Sequence, residues 1–147
     1  MRTERLIMRQ WRDSDRGAFA ALNADPEVME CFPAVMTREQ SDAFADRIAA
    51  GFARHGFGLW ALEVAGAGEF IGFTGLQPVK LPVRGYPGGD AVEVGWRLAR
   101  RAWGHGYAAE AAREALRVAF DEWGCRRSSR LPRCVMSARS GSCVALA

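Results

Sequence analysis

The sequence contains no apolar run near the roughly 20 residues that a membrane helix needs, no low-complexity block and no internal repeat. Its opening, Met1-Arg2-Thr3-Glu4-Arg5-Leu6, is charged and lacks the apolar stretch of a secretory leader. A cytoplasmic location is the expectation, with no membrane partner. A basic stripe is missing as well. The formal charge of +3 is uneven, because residues 125–147 hold five arginines and no acid while residues 1–124 hold 15 basic and 17 acidic side chains. A mildly acidic body does not track phosphates, so nucleic acid is not expected as a partner. Cys125, Cys134 and Cys143 follow one another at nine-residue spacing, with Cys31 far upstream. That spacing matches no zinc pattern, and no metal is expected. Disulfides are not expected without a secretory signal.

What is present is the pattern of an ordinary globule, 49% hydrophobic and 25% charged over 147 residues, large enough to bury one core. Leu6–Trp11 reads as a strand, and Asp13-Ser14-Asp15 as the cap of a helix carrying Phe19 and Leu22. Asp25-Pro26-Glu27 starts another short helix, since proline suits the first helical position. Thr37-Arg38-Glu39-Gln40 is a capping box ahead of Phe44, Ile48 and Phe52, and His55-Gly56 closes that helix. Leu59–Val64 and Phe70–Leu76 form a hairpin around Ala65–Gly68. Residues 78–90 are rich in proline and glycine and read as a loop. Ala91–Leu98 is a further strand, in which Gly95 marks a bulge. From Tyr107 to Trp123 the period is helical, with Ala108, Ala111, Ala112, Ala115, Leu116, Ala119, Phe120 and Trp123 on the apolar face and Gly124 as the stop. The expected fold class is mixed α/β (α+β), with a mostly antiparallel sheet flanked by helices.

Chemistry concentrates in Arg101-Ala102-Trp103-Gly104-His105-Gly106, between the last strand and the last helix. A helix start presents free N–H groups and partial positive charge, and glycines let the backbone approach an anion, so the turn suits a pyrophosphate. Arg101 can add a charge-assisted contact. The Lys-Ser/Thr of a nucleoside-triphosphate loop is missing.

R-x-x-G-x-G after V-E-V-G-W-R-L and before Y-A-A-E-A-A resembles the acetyl-coenzyme A motif of GCN5-related N-acetyltransferases. T-E-R-L-I-M-R-Q-W, N-A-D-P-E-V-M and G-x-G-L-W-A-L-E resemble the branch holding the ribosomal-protein N-terminal acetyltransferases. The resemblance covers residues 3–124 in order. It implies that Arg101, Gly104, His105, Gly106, Tyr107 and Ala108 cradle the pyrophosphate of acetyl-coenzyme A, used as cosubstrate. The backbone of Val94, Gly95, Trp96, Arg97 and Leu98 would pair with the pantetheine arm, and an N–H near Gly95 or Trp96 would polarise the thioester carbonyl. Glu93 is the candidate base for the acceptor amine, acting through a water. Its plain alternative is a solvated or ion-paired strand residue. Phe32, Tyr86 and Trp11 are candidate pocket aromatics, with core or loop anchoring as the alternative. The implied acceptor is a primary amine, a protein N-terminus or a small amine.

After Gly124 the resemblance stops. The family continues with a strand, N-x-R-S opening a last helix, and a closing strand. Residues 125–147 are instead an off-pattern basic tail following an incomplete acetyltransferase domain at 1–124. The C-terminal strands and last helix are expected to be missing or replaced, with weak or absent activity as the consequence. The alternative function is a non-catalytic fragment that at most binds coenzyme A, and an unfinished sheet edge would favour a homodimer. One shifted reading of permitted codons for the tail gives V-V-S-x-T-A-L-R-N-E-R-S-Q-R-V-M-R-R-L-G, which follows the family pattern. A frameshift is therefore predicted at this point. Sequencing the encoding DNA checks it, and no acetyltransferase-like continuation in another frame would overturn it.

Overall fold

The computed structural model describes residues 1–78, 91–121 and 133–136. Strand β1 (Leu6–Arg9) leads to helix α1 (Asp15–Ala24), then to helix α2 (Arg38–His55), strands β2 (Leu59–Val64), β3 (Glu69–Pro78) and β4 (Ala91–Leu98), helix α3 (Tyr107–Asp121) and strand β5 (Arg133–Met136). The sheet order is β1-β2-β3-β4-β5. The first four strands are antiparallel neighbours, and β5 joins β4 in parallel. The chain is thus the mixed α/β layer expected.

Helix α3 covers one face of the sheet, where Ala111, Ala112, Ala115 and Ala119 meet Leu62, Ile71, Val92 and Val94. Small alanines let the helix lie close to the strands. Helices α1 and α2 cover the other face through Phe19, Leu22, Ala45 and Ile48 against Leu59, Ala61, Phe70 and Phe73. Trp11 is a core anchor rather than a pocket wall. Its ring meets Phe19 edge-on at 4.7 Å and its Nε1–H donates to the Leu59 carbonyl at 2.6 Å.

Local signals account for most boundaries. The Thr37 side chain accepts from Gln40 N–H and the Gln40 side chain accepts from Thr37 N–H, so the capping box forms as expected. Gly56 ends α2 at φ 74°, a left-handed value that glycine adopts without steric cost. Other expectations need correction. Ser14 occupies the cap position of α1 but its side chain makes no capping bond. The Asp15 carboxylate instead reaches back to the chain before the helix, accepting from Arg12 N–H at 2.8 Å. Residues 26–31 form turns rather than a helix. Gly95 sits in unbroken register opposite Gly75, and the irregularity falls between Leu62 and Glu63, where β3 carries one residue too many. In α3, Val118 is buried and Phe120 is 45% exposed, because one residue past Ala119 turns a side chain about 100° away from the packed stripe.

The fifth strand falls within the expectation that the C-terminal strands are missing or replaced. The off-pattern tail supplies it, since Arg133–Met136 lies alongside Ala91–Val94. That position is replaced, not missing. Pro78, expected to open the loop at 78–90, is the last residue of β3; the rest of that loop with Tyr86, the helix stop at Trp123-Gly124 and the rest of the tail lie outside the described residues.

Two glycines set the spacing of the central strands. A Cβ on Gly72 would lie 2.1 Å from the Arg97 carbonyl oxygen, and one on Gly75 would lie 2.1 Å from that of Gly58. Below the sheet, Arg9 ties three elements together. Its guanidinium donates to Asp15 at 2.7 and 2.8 Å and to Glu63 at 2.7 Å. Burial pushes the Asp15 carboxyl up, but Arg9 and the Arg12 N–H outweigh it and hold the group below the usual carboxylate range. Its stabilising contribution is therefore present above the unfolded value and disappears as pH falls through the lower folded value. Asp15→Asn should destabilise the fold by about 3 kcal/mol, because it strands part of a buried cation. It should also flatten the acid limb of a plot of unfolding free energy against pH, measured by urea denaturation.

Candidate active site

Between β4 and α3 the chain makes one turn of 3-10 helix, Arg100–Ala102, and then the bend Trp103–Gly106. Gly104 and Gly106 stand at φ 76° and 77°, where L side chains are strained. No atom lies within 4 Å of a Cβ built on Gly104, so its surroundings are open. Glu110 N–H makes an early α3 bond, to the Gly106 carbonyl at 3.1 Å. The N–H groups before it, on Tyr107, Ala108 and Ala109, are those a helix start leaves for an outside acceptor. His105 is exposed and bonds through Nδ1 to the Trp103 carbonyl at 2.8 Å, while its ring stacks on Tyr107 with centroids 5.2 Å apart. The Trp103 indole N–H donates to the Leu98 carbonyl at 2.9 Å, fixing the bend to the end of β4.

A residue not singled out in the sequence reading braces this bend from across the sheet. Arg5 donates through Nη1 to the His105 carbonyl at 2.9 Å and through Nε to Glu110 at 2.8 Å. Its guanidinium also lies 5.0 Å from the centre of the Tyr107 ring. Glu110 further accepts from the Thr3 hydroxyl at 2.5 Å and from Arg5 N–H at 2.9 Å. Burial pushes the Glu110 carboxyl up, but these donors bring it below its ordinary value, so it is ionised at neutral pH. The sequence held a signal for this brace, an arginine just ahead of β1 and an acid in the first turn of α3. A contact spanning 105 residues has no local pattern to betray it.

Arg101, expected at the pyrophosphate, has its side chain turned the other way. It donates to Glu69 at 2.5 Å and to the Phe70 carbonyl at 2.9 Å, on β3. The cations beside the bend are therefore Arg5 and the helix start itself.

Strand β4 runs past the bend. Among the described residues its outer edge pairs with β5 from Ala91 to Val94. On the other side Gly95, Trp96, Arg97 and Leu98 pair with Gly75, Thr74, Phe73 and Gly72 of β3. Side chains alternate along β4, so Val94 and Leu98 are buried toward α3, and Glu93, Gly95 and Arg97 share the opposite face. Glu93 is half-buried and accepts from the Gln77 side-chain amide at 2.7 Å. Arg97 is buried beneath Phe32, with the guanidinium 4.1 Å from the ring centre, and donates to Asn23. The structure thus sets the bend just past the end of the strand that carries Glu93. His55 lies apart, stacked on Phe57 after α2. No group of three His, Cys, Asp or Glu side chains among the described residues could hold a metal ion. No described helix is long and apolar enough to cross a membrane.

This arrangement has relatives. Residues 5–138 match the acetyltransferase (GNAT) domain. The chain belongs to the GNAT acetyltransferase family. A Bacillus subtilis protein of uncharacterised function, YkkB, is 32% identical over 121 residues, covering 82% of this chain and 67% of that one. The FsC-acetyl coenzyme A-N(2)-transacetylase of Aspergillus fumigatus is 43% identical over 72 residues, 47% of this chain and 29% of its own length. The chain thus spans under a third of the Aspergillus enzyme. Among solved structures, an acetyltransferase from Agrobacterium tumefaciens superposes with a TM-score of 0.72 at 27% identity, over 84% of this chain and 68% of its own. The fold is shared too with a Salmonella typhimurium acetyltransferase that modifies the N-terminal serine of ribosomal protein L7/L12, at a TM-score of 0.62 and 14% identity over 83% and 67% of the two chains. Membership of this family carries acetyl transfer from acetyl-coenzyme A as the class of reaction.

Arg5→Ala should loosen the bend without unfolding the sheet. Amide hydrogen exchange at residues 104–107 should quicken about tenfold, from loss of bonds worth roughly 1.5 kcal/mol, while β2 and β3 exchange as before.

Proposed function

We propose that this chain is an acetyl-coenzyme A-dependent N-acetyltransferase acting on a primary amine. The reading rests on one observation above the rest. A bend with two left-handed glycines joins the end of β4 to the start of α3, in a chain whose residues 5–138 match the acetyltransferase (GNAT) domain. The residues fit the cosubstrate. The open space at Gly104 and the first N–H groups of α3 suit a diphosphate.

Bound acetyl-coenzyme A would supply an activated acetyl thioester. Gly104, His105, Gly106, Tyr107 and Ala108 would hold its diphosphate, with Arg5 bracing them. The backbone of Val94 through Leu98 would align the pantetheine arm, and an N–H at Gly95 or Trp96 would polarise the acetyl carbonyl. Glu93 would accept the proton of the acceptor ammonium through a water, freeing the nitrogen lone pair for attack. Gln77 orients that carboxylate. The residue protonating the departing thiolate is unassigned.

The acceptor class, a protein N-terminus or a small amine, follows from resemblance and from the amine chemistry named for the Aspergillus relative. A second reading has its own observation. The strand beside β4 comes from the off-pattern basic tail, so the chain as written could hold coenzyme A and turn nothing over. Cytoplasmic location and a homodimer remain part of the proposal, the latter testable by sedimentation.

Calorimetry with acetyl-coenzyme A and thiol release with an amine panel test the reading. Binding should weaken at least tenfold in the Gly104→Val, Gly106→Val double variant, since strain and bulk both oppose the bound bend. Glu93→Gln should lower kcat about a hundredfold with acetyl-coenzyme A affinity unchanged. Unaltered binding in the double variant would end the assignment, and binding without turnover would favour the second reading.

A further inference from the structure

The face of β4 that carries Glu93 has a second charged group that the transfer chemistry does not use. Three rungs of the β3–β4 ladder lie in sequence there: Gln77 beside Glu93, Gly75 beside Gly95, and Phe73 beside Arg97. The middle rung has no side chain. A Cβ on Gly95 would lie 3.8 Å from the Gln77 amide that holds Glu93, which places the gap next to that carboxylate. A notch one rung wide thus separates a carboxylate from a guanidinium. At the rise of a strand, the Cα atoms of Glu93 and Arg97 are about 13 Å apart.

Arg97 is an unusual occupant of that position. It is 4% exposed, yet no carboxylate among the described residues pairs with it. Among the described residues its guanidinium donates from Nη1 to the Asn23 side-chain oxygen, and Asn23 in turn donates to Ser41 at 2.8 Å. Its Nε is buried with no acceptor among them. Phe32, Phe44 and Phe73 surround it with ring centres 4.1 to 5.7 Å away. Burial pushes the guanidinium down to about 10, so it still carries its charge at neutral pH. A buried charge without a counter-charge lowers stability relative to an apolar side chain of the same size, and such groups concentrate at functional sites. The cover over it is slight. Phe32 is half-buried and sits in the 25–36 connection between α1 and α2, which is built of turns.

We propose that Glu93 and Arg97 form a two-charge acceptor site, in which Glu93 faces the amine and Arg97, uncovered by Phe32, pairs with an acidic group elsewhere on the same acceptor. The preferred substrate is an amine whose carboxylate lies beyond the reach of a single amino acid's own α-carboxylate, as in a peptide with an acidic residue near its N-terminus. A bidentate guanidinium–carboxylate pair would satisfy the Nε that has no acceptor among the described residues. This inference rests on the acetyl-transfer reading above.

The test uses the full chain with three tripeptide amides: aspartate in second position, aspartate in third position, and alanine in both. The wild type should show a kcat/KM at least tenfold higher for one acidic peptide than for the neutral one. Arg97→Gln should reduce that preference to within twofold, and Arg97→Lys should retain part of it. Arg97→Met should lose the preference while its Tm stays level or rises, a result that a purely structural arginine would not give. If turnover is too slow to measure, peptide titrations of the coenzyme A-loaded protein decide by the same ratios. Equal handling of acidic and neutral peptides by the wild type, or a uniform loss across all three in Arg97→Gln, would overturn the inference alone. Failure to bind acetyl-coenzyme A would instead overturn the acetyl-transfer reading beneath it.

Discussion

Strand β4 pairs with β3 from Val92 opposite Pro78 to Leu98 opposite Gly72, and β5 lies alongside Ala91–Val94. That pairing fixes where the strand ends, and with it where the bend at Gly104 and Gly106 stands before α3. The remaining features support this junction. Ala111, Ala115 and Ala119 seat α3 on the sheet, Arg5 pins the bend to the start of β1, and Trp103 ties it back to Leu98.

The parts of this fold legible in the sequence are those governed by neighbours in the chain. The capping box at Thr37, the left-handed stop at Gly56 and the strand limits at Leu59–Val64 and Ala91–Leu98 each follow from a few adjacent residues. The glycine bend is legible for the same reason, since its φ values are a property of the turn itself. Expectations fail where distant residues compete. At the start of α1 Ser14 makes no capping bond, while Asp15 is held by Arg9 and by Arg12 N–H. Arg101 turns from the bend because Glu69, on another strand, offers it a carboxylate. The irregularity expected at Gly95 lies one strand pair away, and Gly95 instead faces Gly75 and empties a rung. The brace from Arg5 to Glu110 and the contact from Arg97 to Asn23 span 105 and 74 residues. No local period announces such pairs.

Charge is distributed by the same logic. Most arginines of the described residues are answered by nearby acids, as Arg9 is by Asp15 and Glu63 or Arg117 by Glu114 and Asp121. Exposed pairs of this kind contribute little to stability. Arg97 stands apart because it combines deep burial with an aromatic rather than an acidic surround. Its neighbour on the same face, Glu93, accepts from a neutral amide, that of Gln77. Among the described residues the two side chains thus stand on one face of β4 with the bare rung of Gly95 between them.

The two glycines of β3 bear on how such a site can change. A methyl group at position 72 would overlap the carbonyl of Arg97, and one at position 75 that of Gly58, so the central strand tolerates no side chain at either place. The floor under the notch is frozen by van der Waals exclusion. Drift in acceptor choice is thereby channelled to the turn-built crossing between α1 and α2, where a new side chain in place of Phe32 would reshape the roof while the sheet beneath kept its register.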